Sequence, residues 1–241
     1  MKNILITGVS KGLGLKISEI LLLNNFRVYG ISRTLSDPLK ELMKNFGDNI
    51  KIKFFDVSDI QNIKKEIFLK FIPNEIPIWG YVNNAAIAYD DLITNANYNM
   101  LKHSFDINFF SAVIFSKYVI RNMLYNHTKG SIVHISSISV HTGYKGLSMY
   151  AASKGALEAL SKNIAREWGE RGIRSNCVVA GFMETDMSSK LSNDQKNRIY
   201  QRNALKKPTS IESVAETVLF LLSEKSESIT GQNLFVDSGT I

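Results

Sequence analysis

Short apolar runs alternate along the chain with longer segments in which apolar residues recur every three or four positions. The first pattern predicts buried strands, and the second predicts helices that bury one face. Strands that alternate with helices form a parallel sheet covered on both faces, so the sequence predicts an α/β fold. The predicted strands cover residues 4–6, 27–33, 50–57, 78–82, 131–137, 172–181 and 233–236, and helical patterns occur at 15–23, 60–71, 99–123, 150–168 and 213–222.

The length of 241 residues, of which 44% are hydrophobic and 21% charged, predicts a single globular domain, 1–241. A polar, helix-prone stretch at 186–203 is expected to belong to a substrate lid at about 186–208. Neither a signal-peptide pattern nor a run of about 18 apolar residues occurs, so we expect a cytoplasmic protein without a membrane partner. The single cysteine, Cys177, excludes a disulfide framework and is expected to be a small buried residue. No metal site is predicted.

The first predicted strand leads into a glycine-rich turn with the spacing G-x-x-x-G-x-G, followed by the first helical pattern. Glycines let backbone amides approach a pyrophosphate, and a helix N-terminus adds N–H donors and partial positive charge. The alternative is a tight turn whose glycines serve only to reach positive φ. The residues expected to contact a dinucleotide here are Gly8, Ser10, Lys11, Gly12, Leu13 and Gly14.

The second predicted strand ends at Ser32 and Arg33, where NAD-binding sites have a carboxylate that binds the ribose 2′-hydroxyl. Lys11 places a second cation in the glycine loop. Two cations near the adenosine ribose favour a 2′-phosphate, so we expect NADP(H) to be preferred over NAD(H). The alternative is that Arg33 only covers the surface.

The next two strands add candidates for the same site. Asp56 and Val57 end the third strand and are expected to hold the adenine edge. Asn83 and Ala85 follow the fourth strand, where small and amide side chains let a cofactor pass close to the backbone and fix its polar groups.

Tyr150 and Lys154 stand four residues apart in a segment with helical periodicity, which puts the phenol and the ammonium on one helix face. An ammonium beside a phenol favours the phenolate, so we expect the pKa of Tyr150 to lie below its usual value of about 10. Such a phenol exchanges protons near neutral pH. The spacing alone is also compatible with a surface helix, so the other motifs of the chain are needed to assign a function to the pair.

The formal net charge of +7 permits an anionic partner. Basic residues are scattered, however, and the densest cluster is Lys206 with Lys207. We therefore expect no nucleic-acid partner and interpret the charge as a solvated basic surface.

Taken in order, these motifs resemble those of the short-chain dehydrogenase/reductase family over residues 7–239. The resemblance implies a Rossmann-type doubly wound parallel β-sheet of about seven strands, with helices on both faces. Residues 181–187 and 229–232 are most similar to bacterial 3-oxoacyl-(acyl carrier protein) reductases. The chain departs from the family pattern at Ala86, Ala180 and Ser238, where glycine, proline and glycine are usual.

The resemblance implies NAD(P)-dependent reduction of a ketone to a secondary alcohol. Tyr150 would protonate the carbonyl oxygen, and Lys154 would lower the pKa of Tyr150 and bind the nicotinamide ribose. Ser137 would hydrogen-bond the substrate oxygen, and Asn108 would hold a water that relays protons to Lys154. The alternatives are that Ser136 takes the role of Ser137, or that Asn108 is a satisfied helix amide. Two further residues would hold the nicotinamide end, Gly181 and Thr185.

The resemblance leaves the substrate open, because one fold serves many reactions. The favoured partner is an acyl thioester carried by acyl carrier protein, in fatty acid synthesis, docked near Arg171 and Lys129. The alternatives are a sugar or nucleotide-sugar of polysaccharide synthesis, another small carbonyl compound, or a nucleotide-sensing regulator; an intact Ser, Tyr and Lys set disfavours the regulator. Family members are commonly tetramers, so a homotetramer built through helices 99–123 and 150–168 is expected. Three histidines are interpreted as non-catalytic, namely His103, His134 and His141.

Overall fold

The computed structural model describes residues 1–185 and 191–241, and within these ranges seven parallel strands form one sheet. Their spatial order is β3-β2-β1-β4-β5-β6-β7, so the direction of winding reverses between β1 and β4. The strands are β1 (Lys2–Thr7), β2 (Phe26–Ser32), β3 (Ile50–Phe54), β4 (Ile78–Asn83), β5 (Ser131–Ser137), β6 (Arg174–Ala180) and β7 (Asn233–Val236).

Helices connect successive strands and cover both faces of the sheet. The α-helices are α1 (Gly12–Leu23), α2 (Asp37–Phe46), α3 (Tyr98–Phe105), α4 (Ser111–Tyr125), α5 (Ser139–Thr142), α6 (Ser148–Trp168), α7 (Asn193–Arg202) and α8 (Ile211–Leu222). The described part of the chain also contains π-helical segments at Lys64–Leu69 and Asp106–Phe110, and short 3-10 turns at Gly47–Asn49, Ile60–Asn62, Ile93–Asn95, Gly169–Arg171 and Glu224–Ser226.

Two hydrophobic cores lie on opposite faces of the sheet. In β1, Ile4 and Ile6 pack into the core shared with α1, α2 and α8, whereas Leu5 packs into the core shared with α4 and α6. Strands buried on both faces need apolar residues at every position, which is why they appear in the sequence as continuous apolar runs. The predicted doubly wound α/β fold is confirmed. Cys177 is a buried free cysteine, as expected.

The structure differs from the sequence prediction mainly in the helices. Helix α2 was missed because only Leu39 and Leu42 of its ten residues are buried, although Ser36 caps it by accepting a hydrogen bond from Leu39 N. The long helix predicted at 99–123 contains the π-helical segment Asp106–Phe110. Of the predicted lid, residues 186–190 lie outside the described residues, and α7 is helical as expected. The lid itself stays a prediction.

The parallel arrangement brings the carboxyl ends of all seven strands to one edge of the sheet, where the polar residues that follow them gather. No helix in the described ranges is long and apolar enough to span a lipid bilayer.

A buried asparagine of α4 fixes the entry of β4. Asn122 is 1% exposed; its Oδ1 accepts from Ile78 N at 2.8 Å, and its Nδ2 donates to Ile76 O at 3.1 Å. The side chain therefore replaces two main-chain partners at the point where the chain enters the sheet.

We predict that Asn122→Ala lowers the free energy of unfolding by about 1–3 kcal/mol, because it leaves the buried Ile78 N–H without an acceptor. The matched control is Asn163→Ala, since the Asn163 amide is exposed and donates only to Ala159 O within its own helix. Chemical denaturation monitored by circular dichroism measures both changes. Equal effects in the two variants would contradict the assignment.

Candidate coenzyme and active site

A cleft of about 1030 Å³ lies at the carboxyl edge of the sheet, where the strand order reverses. Ligands of open α/β sheets bind at such a reversal. The cleft brings together sixteen of the eighteen residues predicted for the site. They are Gly8, Ser10, Lys11, Gly12, Leu13, Gly14, Ser32, Arg33, Asp56, Val57, Ala85, Ser137, Tyr150, Lys154, Gly181 and Thr185.

At Gly14 the glycine loop packs too closely against the rest of the protein to admit a side chain. A Cβ on Gly14 would lie 2.0 Å from Gly8 O and 2.5 Å from Asn84 Nδ2. The Asn84 amide donates to both Thr7 O and Gly8 O at 3.0 Å, and this holds the turn in place. Helix α1 begins at Gly12 without a side-chain cap. Its N-terminus is thus of the kind that binds a phosphate group.

Asn83 does not line the cleft, contrary to the prediction. It is 2% exposed, and its Oδ1 accepts from Tyr81 Oη at 3.3 Å. Successive side chains of a strand point to opposite faces, so Asn83 lies on the same face as Tyr81, while Asn84 lies against the glycine loop. Two identical neighbours in the sequence offered no way to choose between them; only the register of β4 does so.

The far end of the cleft from Tyr150 carries an ion pair. The Arg33 guanidinium lies 3.8 Å from the Asp56 carboxylate, and the arginine side chain is 62% exposed. Burial acts to raise the pKa of Asp56, but hydrogen bonds from Ser58 N and Oγ and the charge of Arg33 outweigh it and leave the pKa lowered. Asp56 is therefore ionised at neutral pH and holds Arg33 at this end of the cleft.

Helix α6 carries Tyr150 and Lys154 one turn apart, as the spacing predicted. Lys154 is 2% exposed, and its Nζ donates to Ile135 O at 2.9 Å and lies 5.8 Å from the centre of the Tyr150 ring. Burial lowers the pKa of Lys154 to about 8. The amine therefore titrates under mildly alkaline conditions.

The predicted lowering of the Tyr150 pKa is wrong in this structure. Burial raises the pKa of Tyr150 to about 12, a hydrogen bond with Ser137 acts in the opposite direction, and the charge of Asp90 raises it further. The Lys154 amine is hydrogen-bonded to the Ile135 carbonyl and does not offset the burial. The phenol is consequently protonated throughout the neutral range.

Two adjacent serines end β5, and they have different partners. The Ser137 hydroxyl accepts from Ser139 N at 3.2 Å and is hydrogen-bonded to Tyr150. The Ser136 hydroxyl donates to Glu158 Oε1 at 2.6 Å. The geometry therefore pairs Ser137, rather than Ser136, with the phenol.

Asn108 does not line the cleft, and its side chain is fully hydrogen-bonded. Its Oδ1 accepts from Ile87 N at 2.9 Å, and its Nδ2 donates to Ile87 O at 2.9 Å, Ser153 Oγ at 3.0 Å and Ser104 Oγ at 3.3 Å. The amide ties the loop after β4 to α6 beside Lys154. This is the satisfied helix amide that the sequence left open, because both donors and the acceptor are already used. The predicted water relay has no support from its side chain.

Further residues line the end of the cleft opposite the Arg33–Asp56 ion pair, and the sequence patterns did not indicate them. They belong to loops after β4, β5 and β6, where no periodicity marks a position. Among them are Asp90, Asp91, Tyr144, Leu147, Phe182 and Met183. In the described part of the chain, no group of three or more His, Cys, Asp or Glu residues is placed to hold a metal ion.

A family model described as "Enoyl-(Acyl carrier protein) reductase" matches residues 8–240. With the fold and the cleft described above, this match shows that the chain belongs to the short-chain dehydrogenase/reductase family, which confirms the resemblance noted in the sequence.

One departure from the family pattern is visible in the backbone. Ser238 has a φ of 59°, in the left-handed region that favours the usual glycine.

The chain is 32% identical over 240 residues to 3-oxoacyl-[acyl-carrier-protein] reductase FabG of Chlamydia pneumoniae, covering 99% of this chain and 96% of that protein. It is 31% identical to carbonyl reductase [NADPH] 2 of Sus scrofa over 98% of this chain and 94% of that protein. Among solved structures, it is similar to 4-hydroxyisoleucine dehydrogenase complexed with NADH, with a TM-score of 0.93 and 25% identity over 100% of this chain and 98% of that one. It is also similar to ElxO with NADP bound, with a TM-score of 0.87 and 28% identity over 99% of this chain and 98% of that one. These similarities support a nicotinamide cofactor.

We predict that Tyr150 contributes no tyrosinate absorbance below about pH 10, because burial raises its pKa to about 12. Ultraviolet difference titration at tyrosinate wavelengths, of the coenzyme-free wild type against Tyr150→Phe, isolates this phenol from the eight other tyrosines, since the chain has 9. A component that titrates below pH 8 in the wild type and is lost in the variant would show that burial does not control this group.

Proposed function

We propose that this member of an oxidoreductase family is an NADP(H)-dependent enzyme that reduces the ketone of a 3-oxoacyl thioester, carried by acyl carrier protein, to a secondary alcohol. The observation that carries the proposal is the grouping of Ser137, Tyr150 and Lys154 in one cleft with the glycine loop. A hydroxyl, a protonated phenol and a buried amine are the groups needed to bind and protonate a carbonyl oxygen.

A dinucleotide suits the cleft because its lining includes the glycine loop, Arg33 and Asp56 as well as Tyr150 and Lys154. The Cβ position of Gly14 is occupied by Gly8 O and Asn84, so the turn packs closely and brings the N-terminus of α1 to the cleft. When bound, the coenzyme supplies the hydride, and the protein binds and orients it. The residues we assign to the coenzyme are Gly8, Ser10, Lys11, Gly12, Leu13 and Gly14 for the pyrophosphate, Ser32, Arg33, Asp56 and Val57 for the adenosine, and Ala85, Lys154, Gly181 and Thr185 for the nicotinamide half.

Tyr150 is assigned as the general acid. A pKa of about 12 keeps the phenol protonated at neutral pH, which is the state that a carbonyl reduction requires. Ser137, hydrogen-bonded to the phenol, would donate to the substrate oxygen and stabilise its developing charge. Lys154 would bind ribose hydroxyls from its buried position beside the phenol.

The acyl-carrier substrate is supported by the similarity to 3-oxoacyl-[acyl-carrier-protein] reductases. The docking cations expected near the cleft, Arg171 and Lys129, do not line it and precede β6 and β5 at the amino edge of the sheet. The aliphatic part of Lys129 packs beside Gly172, next to the exposed Arg171.

A small polar carbonyl compound, such as a sugar, is the second candidate. Asp90 and Asp91 line the cleft that also contains Tyr150, and carboxylates there suit hydroxyl-rich substrates. The similarity to carbonyl reductase [NADPH] 2 and to L-xylulose reductase of Caenorhabditis elegans supports this alternative.

We further propose that the chain assembles as a homotetramer. Several large apolar residues of α3, the π-helical segment and α4 are exposed, among them Tyr98 at 75%, Met100 at 55% and Phe110 at 45%. Exposed apolar groups on adjacent helical turns are typical of surfaces that subunits bury.

We predict that Tyr150→Phe lowers kcat for NADPH-dependent reduction of acetoacetyl thioester by about 10²–10⁴-fold, because the positioned acid is lost. The control is Tyr118→Phe, since Tyr118 packs on Phe68 and does not line the cleft. A panel of sugars and small ketones assayed beside the thioester separates the two substrate candidates. Retention of most of the activity by Tyr150→Phe would overturn the role of the phenol.

We predict that Arg33→Ala raises the KM for NADPH by roughly 10–100-fold and leaves the KM for NADH nearly unchanged, because a charge-assisted contact contributes about 1.5–3 kcal/mol. Steady-state kinetics with both coenzymes measures the difference. Arg121→Ala on α4 serves as the control, because Arg121 is exposed and does not line the cleft. Equal changes for NADPH and NADH would exclude a 2′-phosphate contact.

A further inference from the structure

A buried carboxylate on α6 joins four elements of the fold. The Glu158 side chain is 8% exposed. It accepts from Ser136 Oγ of β5 and from Asn233 Nδ2 of β7, both at 2.6 Å. The His141 Nε2 of α5 lies 3.1 Å from each of its oxygens. Elements β5, α5, α6 and β7 therefore meet at one side chain, which we call the Glu158 cluster (Ser136, His141, Glu158 and Asn233).

The cluster lies one helical turn beyond Lys154. On α6, Lys154 and Glu158 stand four residues apart and contact consecutive residues of β5. Lys154 donates to Ile135 O at 2.9 Å, and Glu158 accepts from Ser136 at 2.6 Å. The next residue of β5 is Ser137, so these two contacts determine the distance between its hydroxyl and the helix that carries the phenol.

The order of the groups excludes a nucleophilic role for the cluster. In a catalytic triad the imidazole lies between the hydroxyl and the carboxylate and removes the proton of the hydroxyl. Here the carboxylate lies between the Ser136 hydroxyl and the His141 imidazole. The imidazole also packs edge-on against Phe235, with ring centres 4.9 Å apart. The arrangement holds its members in place and gives the serine a carboxylate partner instead of the imidazole that a triad requires.

We propose that Glu158 is a positioning residue, which holds the β5–α5 segment containing Ser137 against the helix containing Tyr150 and links both to β7. The inference rests on the proposed function, because the groups it aligns are the proposed acid and its partner hydroxyl. A misplacement of about 1 Å at reacting groups costs on the order of 10²-fold in rate, so hydrogen bonds at this distance from the cleft affect kcat.

The experiment compares Glu158→Ala with Glu158→Gln in the full chain. The glutamine keeps the volume and accepts from Ser136. The buried Oδ1 of Asn233 has no hydrogen-bond partner in the described structure. If the Asn233 amide rotates, this oxygen can accept a hydrogen bond from the new glutamine amide. Glu167→Ala is the matched control, because Glu167 is an exposed glutamate of the same helix. A second variant, Ser136→Ala, breaks only the contact with β5 and keeps the test valid if Glu158→Ala does not fold.

We expect Glu158→Ala and Ser136→Ala to lower kcat for acetoacetyl thioester reduction by roughly 10–100-fold with the KM for NADPH within about twofold of the wild type. We expect Glu158→Gln to restore kcat to within about threefold. A loss of thermal stability without a change in kcat in the folded variants would overturn the proposal. A glutamine variant as slow as the alanine variant would also overturn it, since the charge and not the hydrogen bonding would then be needed.

Amide hydrogen exchange of residues 137–142 provides a readout that does not depend on activity. The exchange rate is expected to rise in Glu158→Ala and to remain at the wild-type level in Glu158→Gln and Glu167→Ala. If the wild type reduces no carbonyl substrate, the proposed function fails, while the exchange experiment still decides whether Glu158 holds this segment. Unchanged exchange in Glu158→Ala would refute the holding contact itself.

Discussion

The hydrogen bond from the buried Lys154 amine to the Ile135 carbonyl joins the helix that carries the phenol to the strand that carries the hydroxyl. An amine removed from water at this depth loses part of its preference for the charged state, which is why its pKa falls to about 8. The main-chain carbonyl partly compensates for the lost hydration. A group able to bind ribose hydroxyls thus also fixes the distance between α6 and β5.

Side-chain amides fix the segment around β4 in the same manner. Asn122 binds the main chain where β4 begins, Asn84 binds the glycine loop where β4 ends, and Asn108 binds Ile87 in the loop that follows. Each amide replaces a backbone partner that a loop cannot provide for itself. The cleft lies between these anchored segments, so its shape depends on buried polar contacts as well as on the hydrophobic cores.

Burial raises the pKa of the acidic group at both ends of the cleft, but it is outweighed only at Asp56. Near Asp56, hydrogen bonds from Ser58 and the charge of Arg33 favour ionisation at a partly exposed position. Near Tyr150, burial is the largest effect and favours the neutral phenol. The result is an ion pair at the end that we propose for adenosine and a protonated phenol at the end that we propose for a carbonyl group. The phenol was predicted to ionise easily because helical spacing specifies a neighbouring amine but does not report how deeply either group is buried.

Apolar runs and helical periodicity were sufficient to predict a parallel sheet covered on both faces, because burial on both faces requires apolar residues at regular positions. The doubly wound order was implied by the family resemblance. The glycine spacing and the four-residue interval of the phenol and the amine are local, and sequence alone determined them. Tertiary structure alone decided that Asn84 and not Asn83 lines the cleft, and that Ser136 pairs with Glu158 while Ser137 pairs with the phenol. A strand alternates its side chains between two faces, and only pairing with its neighbours establishes which residue points where.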